Sequence, residues 1–325
     1  MRSLRLGLAA SLILTVFLLA SIGGGLVWLA DRPGEVFVAT LGACISGLRQ
    51  LSHENDALLA QLKVYPVEDY WFKGANGDSV QGMILRPPQW AQGRKFPVVL
   101  LIHGGPQVPW LDQWHGRWNY QMFAAQGYGL VIINPRGSPG YGQKFVDAIS
   151  KDWGGAVYGD LMNGLDAALA KYPWLDGTRM SAAGGSYGGY MVDWIAGHSD
   201  RFKALISHAG PYNLENMYGA TEELWFPTWE YGGAYWDSTA MAQNYRKWSP
   251  HLYAKNFRTP TLVTAGELDY RVPYTEDLAF FSALQRHGVP SRLVVFPDEG
   301  HWIQKPQNQK LWWGEVQGWL GKYLQ

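Results

Sequence analysis

Gly184-Gly185-Ser186-Tyr187-Gly188 is a G-x-S-x-G pentapeptide, and its flanks decide whether the serine can do chemistry. The stretch Arg179–Ala183 reads as a strand and a helical pattern starts near Gly189, so Ser186 falls on a sharp strand-to-helix turn. Such a turn brings neighbouring Cβ atoms into conflict, and glycine on both sides of the serine removes the clash. A neutral hydroxyl is a poor nucleophile; it needs a base within hydrogen-bond reach and a carboxylate to orient that base. The chain offers both in the order Ser, Asp, His: Asp269 lies in GELDYRVP and His301 in FPDEGHW. Each follows a strand candidate, Thr261–Thr264 and Arg292–Phe296, which puts all three residues on loops at the carboxyl ends of strands. Glu267 and Asp298 are the alternative orienting acids. Attack on a carbonyl also needs donors for the developing oxyanion. The backbone N–H of Tyr187 is one candidate, and the glycine loop His103-Gly104-Gly105-Pro106 is the other, with the His103 ring either donating or packing beneath the loop.

These loops must be held by a scaffold, and from Val67 onward short apolar runs alternate with helical patterns. Strand candidates are Asp69–Phe72, Val80–Leu85, Val98–His103, Leu130–Asn134, Arg179–Ala183, Ala204–His208, Thr261–Thr264 and Arg292–Phe296. Helices are expected at Trp118–Gln126, Leu161–Lys171, Tyr190–Gly197, Thr275–Arg286 and Asn308–Leu324. The near-continuous apolar runs Val98–Ile102 and Leu130–Ile133 suit a central, mostly parallel sheet with helices on both faces. Together with the Ser, Asp, His order this is the α/β-hydrolase pattern. Only Pro211–Pro250, dense in Trp, Tyr and Glu, breaks the alternation, and it reads as an irregular insertion forming a cap or rim.

Composition narrows the function further. The 325 residues include 27 Lys plus Arg against 27 Asp plus Glu, so no net charge draws the protein toward nucleic acid or an anionic surface. Seventeen Trp, 18 Tyr and 12 Phe exclude disorder. A single cysteine, Cys44, allows no internal disulfide and no cysteine-rich metal site. The histidines at 53, 115, 198, 208, 251 and 287 show no partner pattern, and none forms an H-x-x-x-H pair, so neither a metal nor a cofactor is expected.

Several stretches are similar to the catalytic domain of the prolyl oligopeptidase family of serine peptidases, nearest to its dipeptidyl peptidase V and acylaminoacyl peptidase branch. They are HGGPQ from His103, NPRGSPGYGQKF from Asn134, WGG at Trp153, GGSYGGYM from Gly184, DYRVP from Asp269 and PSRLVVFPDEGHW from Pro290. The resemblance covers about Val64 to Gln325. It implies Ser186 as nucleophile, Asp269 as orienting acid and His301 as base, with Tyr187 N–H and the His103 position forming the oxyanion hole. Related members carry tyrosine where this chain has His103. It implies a peptide substrate, with two rivals: an esterase of the same fold, and a truncated fragment without turnover. The family's β-propeller filter is represented only by residues 31–51, which resemble the tail of a last blade. A face left uncovered by a missing propeller would favour self-association, so a homo-oligomer is an expectation.

Specificity residues are sought in the insertion. Trp225, Phe226, Trp229, Tyr231 and Trp236 are candidates for an apolar pocket, and Glu222, Glu223 or Glu230 for pairing with a substrate α-ammonium, against the alternative of ordinary packing and solvated acids. Arg136 and Arg271 are candidates for a substrate carbonyl or carboxylate, or equally for structural ion pairs. At the N-terminus, Arg2 and Arg5 precede an uncharged run from Leu6 to Ala30. That run is long enough for a membrane anchor, and Leu6–Ala20 also suits a cleavable signal peptide; either implies export, while a buried strand would leave the protein cytoplasmic. Leu41-Gly42-Ala43-Cys44 looks like a lipoprotein box, but Asp31, Arg32 and Glu35 separate it from the apolar run. The expected organisation is a targeting segment over 1–30, a connector over 31–64 with a helix capped by Ser52 and carrying Leu58, Leu59 and Leu62, and a catalytic domain over 65–325.

Overall fold

Two runs with almost no polar side chain, Phe96–Ile102 and Gly129–Asn134, form adjacent parallel strands in which every residue is buried. Successive side chains of a strand point to opposite faces, so complete burial means that the sheet is covered on both sides. In the computed structural model residues 50–325 are described throughout. Before them, the backbone is described for four strands: β1 (Leu19–Ser21), β2 (Gly24–Val27), β3 (Phe37–Leu41) and β4 (Ile45–Gln50).

The chain divides into two units, Met1–Pro66 with Leu111–Met122, and Val67–Trp110 with Phe123–Gln325. In the first, β1 to β4 pair antiparallel in sequence order. Both β1 and β2 fall inside the uncharged N-terminal run, which is therefore not helical there; the rest of that run, and Cys44, lie outside the described residues. No helix among the described residues is long and apolar enough to cross a membrane. The helix expected from Ser52 is shorter than the pattern suggests: α1 spans Asp56–Leu59, and its flanking Asn55 makes no side-chain cap. Leu58 and Leu62 stay exposed, and a helix that buries no apolar face has little to extend it.

The second unit is built on an eight-stranded sheet. Its strands are β5 (Glu68–Lys73), β6 (Ser79–Leu85), β7 (Phe96–Ile102), β8 (Gly129–Asn134), β9 (Leu175–Gly185), β10 (Ala204–His208), β11 (Thr261–Gly266) and β12 (Ser291–Phe296), in the spatial order β12-β11-β10-β9-β7-β8-β6-β5. Only β6 runs against its neighbours; every other adjacent pair beyond it is parallel. The helices are α2 (Tyr120–Ala124), α3 (Gln143–Asp147), α4 (Ala156–Lys171), α5 (Tyr187–His198), α6 (Leu214–Ala220), α7 (Trp225–Tyr231), α8 (Thr239–Lys247), α9 (Thr275–Arg286) and α10 (Pro306–Leu324). The expected mostly parallel sheet with helices on both faces is what the chain forms.

The segment Pro211–Pro250 corrects the expectation of an irregular insertion, because it folds into α6, α7 and α8. Their ends carry ordinary signals: the Asn213 side chain accepts from Glu215 N at 3.1 Å, Ser238 Oγ from Met241 N at 3.2 Å, and Gly232 ends α7 at φ 84°. The helical period is hidden because each helix has nine residues or fewer, little more than two turns.

A buried ion pair fixes the loop after β8. Arg136 donates through its backbone N and Nε to Asp160 Oδ2, at 3.0 and 2.8 Å, and through Nη2 to Oδ1 at 3.0 Å. Asp160 Oδ1 also accepts from Ala75 N at 2.7 Å. Arg136 is thus a structural partner rather than a substrate contact. Asp160→Ala would leave the buried guanidinium with only Asp78 at 3.4 Å and the carbonyl of Ala75 at 2.8 Å, and is expected to cost about 3 kcal/mol. Urea denaturation followed by far-UV circular dichroism checks this; a loss below about 1 kcal/mol would make the pair worth no more than an exposed one.

Candidate active site

Ser186 separates β9 from α5 with φ 60° and ψ −123°, a backbone conformation that side chains rarely adopt. Its N–H donates to His208 O at 2.9 Å, and its carbonyl accepts from Tyr190 N at 2.9 Å. The glycines that follow and precede it are required by close approach: a Cβ on Gly188 would lie 2.2 Å from Ile102 O, and one on Gly184 2.5 Å from Gly188. From Met180 to Gly197 every residue is buried except Ser186, which is half-buried.

Asp269 and His301 come together. Asp269 Oδ2 accepts from His301 Nδ1 at 2.6 Å, while Oδ1 accepts from Arg271 N at 3.0 Å and Val272 N at 2.9 Å. Both side chains are almost fully buried. With Nδ1–H committed to a carboxylate, Nε2 is the free acceptor of the ring, and among the described residues it has no hydrogen-bond partner. The alternative acids are elsewhere: Glu267 is exposed, and Asp298 is engaged by Lys305 and Asn308. Ser186 follows β9, Asp269 follows β11 and His301 follows β12, so all three stand at one edge of a parallel block.

The sequence reading passed over His208, the last residue of β10. Its carbonyl accepts from Ser186 N, its Nε2 donates to His301 O at 3.3 Å, and its Nδ1 lies 2.9 Å from Thr264 Oγ1. One residue therefore ties the serine turn, through its carbonyl, to the histidine loop, through its ring. The only signal in the sequence is its position, a polar residue closing an apolar strand beside two others that end in candidate residues.

Gly104 passes close to the serine: a Cβ there would lie 3.2 Å from Ser186 Cβ. Tyr187 opens α5, and the N–H groups of a first helical turn have no partner within their helix. His103 lies beneath the loop. Its Nδ1–H donates to Gly104 O at 2.8 Å and its Nε2 accepts from Ser138 Oγ at 2.9 Å, so both nitrogens are occupied. Burial pushes its imidazole down to about 4, which keeps the ring neutral.

The specificity candidates separate into two groups. Trp225 and Trp229 share one face of α7 and are 68% and 71% exposed, Trp236 is exposed, and Glu222 is exposed with its N–H on Tyr270 O at 2.7 Å. Glu223 pairs with Arg271 Nη2 at 2.9 Å, and the same guanidinium lies 5.4 Å from the centre of the Trp302 ring, next to His301. Phe226 packs on Trp153 with ring centres 5.8 Å apart, and Tyr231 is buried. Glu230 is fully buried, with its carboxylate engaged by Trp153 and Gln107, so it is not an acid on a surface that could meet an ammonium group. Among the described residues no cluster of His, Cys, Asp or Glu is arranged to hold a metal.

A half-buried serine on a strained strand-to-helix turn, and an Asp–His pair on neighbouring carboxyl-end loops of a mostly parallel sheet, define the α/β-hydrolase class. Within that class the chain belongs to the prolyl oligopeptidase family, whose model matches residues 114–325. It is 41% identical over 273 residues to dipeptidyl-peptidase 5 of Porphyromonas gingivalis, a match covering 83% of this chain and 40% of that protein. It is 41% identical over 258 residues to dipeptidyl-peptidase 5 of Schizosaccharomyces pombe, covering 79% of this chain and 37% of the other. The Pyrococcus horikoshii acylaminoacyl peptidase structure superposes with a TM-score of 0.83 at 28% identity, over 94% of this chain and 49% of that one. The chain thus spans about two-fifths of the length of the curated relatives it matches.

Buried acids lie under this site. Asp193 on α5 and Asp277 on α9 are each 1% exposed. Burial pushes both carboxyls well above the usual range; Asp277 and Glu276 add to the effect on Asp193, and Asp269 and Glu276 to that on Asp277. An aspartic acid of this kind keeps its proton in the native state while the unfolded chain loses it near pH 4, so stability falls as pH rises from about 4 toward the native pKa. Asp193→Asn removes that component. The variant is expected to gain melting temperature over the parent at pH 8 and not at pH 4; an equal gain at both would refute the protonated state.

Proposed function

We propose that the protein is a serine peptidase that cleaves short peptides through an acyl-enzyme on Ser186. The observation that carries this is the Asp269–His301 hydrogen bond, which leaves Nε2 of a buried imidazole as an acceptor on the same edge as the strained serine. His301 takes the proton of Ser186 Oγ as the oxygen attacks the peptide carbonyl, and Asp269 stabilises the imidazolium. The oxyanion is received by Tyr187 N–H and by the glycine loop at Gly104, on backbone rather than on the occupied His103 ring. The leaving amine collects the proton from His301. Water, deprotonated by the same nitrogen, then hydrolyses the ester and restores Ser186.

Relatives named dipeptidyl-peptidase 5 and acylaminoacyl peptidase support peptide over ester as the substrate. Exposed Trp225 and Trp229 supply an apolar wall for a substrate side chain, and exposed Glu222 is the acid in the insertion with a free surface position for an α-ammonium. Arg2 and Arg5 ahead of the uncharged run support export, with residues 6–30 as leader or anchor.

A fluorophosphonate probe should label the protein and leave Ser186→Ala unlabelled. Steady-state rates on dipeptidyl amides, N-acylated aminoacyl amides and short-chain esters should then show amide turnover that the same substitution lowers by about 10⁴-fold or more. Preference for a free amino terminus assigns dipeptidyl peptidase activity and preference for a blocked one acylaminoacyl activity. Ester turnover without amide turnover would refute the peptidase reading, and an unlabelled folded protein would refute catalysis by Ser186.

A further inference from the structure

Glu230 is fully buried in the last turn of α7, and no step of the mechanism uses it. Its neighbours divide between the two sides of the oxyanion hole. Oε1 accepts from Gln107 Nε2 at 2.7 Å, with Ser150 Oγ at 3.5 Å, and Oε2 accepts from Trp153 Nε1 at 2.7 Å. Gln107 closes the glycine loop that starts at His103, and the turn is so tight that a Cβ on Gly105 would lie 2.6 Å from Gln107 N. Trp153 is bound to the other side: its carbonyl accepts from Tyr187 Oη at 2.6 Å, and the two rings pack edge to face with centres 5.2 Å apart. Tyr187 opens α5, and the proposed mechanism gives the oxyanion to its N–H. Phe226, one turn earlier on α7, lies on the same Trp153 ring.

We propose that Glu230 is a positioning residue for the oxyanion hole: its carboxyl group holds Gln107 and Trp153 at once, and so sets the distance between the glycine loop and the N–H of Tyr187. The inference rests on the reading of Ser186 as nucleophile. Its physical basis is that a carboxyl offers two acceptor oxygens at fixed separation, and each here meets a donor, that of Trp153 buried and that of Gln107 half-buried, so losing the carboxyl leaves the indole N–H without an acceptor. Oxyanion donors act only when aimed at the place where the charge develops, and a displacement of about 1 Å costs on the order of 10²-fold in rate.

Two substitutions and their combination test this. Glu230→Leu keeps the volume and removes both acceptors; it should lower kcat roughly 10- to 100-fold while KM changes less than about threefold. Affinity for a peptide boronic acid, which mimics the tetrahedral intermediate, should fall in parallel with kcat/KM, whereas affinity for an uncleaved product peptide should not. Gln107→Glu puts two carboxyls face to face and should cause a similar loss. Adding Glu230→Gln to it restores a donor against an acceptor, leaves the new amide oxygen for Trp153, and should bring kcat back to within about threefold of the parent. Unchanged kcat and boronate affinity in folded Glu230→Leu would overturn the proposal. So would failure of the double substitution to recover, which decides the matter even if Glu230→Leu does not fold. A parent protein that fluorophosphonate does not label would overturn the underlying reading of Ser186, and the proposal with it.

Discussion

A serine held at φ 60° and ψ −123° is the constraint from which the arrangement of the site follows. Such a conformation costs on the order of 1–3 kcal/mol and persists only where the surroundings permit nothing else. Here β9 is pinned on both edges, by β7 up to Gly184 and by β10 up to Gly185. On the far side, α5 is buried from Tyr187 to Gly197 and has no free face about which to turn. One residue must join a fixed strand to a fixed helix, and it is the one residue of that stretch with access to solvent. The strain is therefore what presents the hydroxyl, and the adjoining glycines follow from it.

Apolar packing sets the layers to within a side chain, but a site needs geometry at the scale of a hydrogen bond, and buried polar groups supply it. The loop carrying Ser138 is fixed because Arg136 is locked to Asp160; Ser138 then holds Nε2 of His103, and the other nitrogen of that ring holds Gly104 O. His208 does the same on the opposite side, between Ser186 N and the carbonyl of His301. Each link leaves its partners fully satisfied, as burial requires. A tyrosine in place of His103 would have one polar atom and could not make both contacts, so the histidine holds the loop at two points.

What the sequence displays and what it conceals divide along the range of the interaction. Strands such as Ala204–His208 and helix Thr275–Arg286 are visible to the residue, because their apolar content and ends are local. The candidate Ser, Asp and His stand out in the sequence because each follows a strand, and the structure places them after β9, β11 and β12. Glu230 and Glu222 look alike in sequence, yet one is fully buried and the other exposed, since only tertiary packing distinguishes them. Nothing in the sequence marks Asp193 and Asp277 as buried acids, for the same reason. The helices of 211–250 escape because each has nine residues or fewer, too short for a period to show, despite the caps at Asn213 and Ser238.

That insertion is fastened to the frame of the sheet at several places, and two of them lie beside the candidate site. At its first turn Thr221 Oγ1 donates to Arg271 O at 2.7 Å, Glu222 N donates to Tyr270 O, and Glu223 pairs with Arg271, so the loop presenting Asp269 is braced by the segment 221–223. At its second, the Phe226 and Glu230 face of α7 lies on Trp153. Substitutions on either contact disturb the loop of Asp269 or the packing beside Tyr187 together with the insertion. Trp225 and Trp229 lie at i and i+4 on the solvent face of the same helix; the Trp225 ring still meets Phe226 edge to face with centres 5.8 Å apart, whereas Trp229, 71% exposed, is the position of the pair from which a substitution reaches the strained serine least directly.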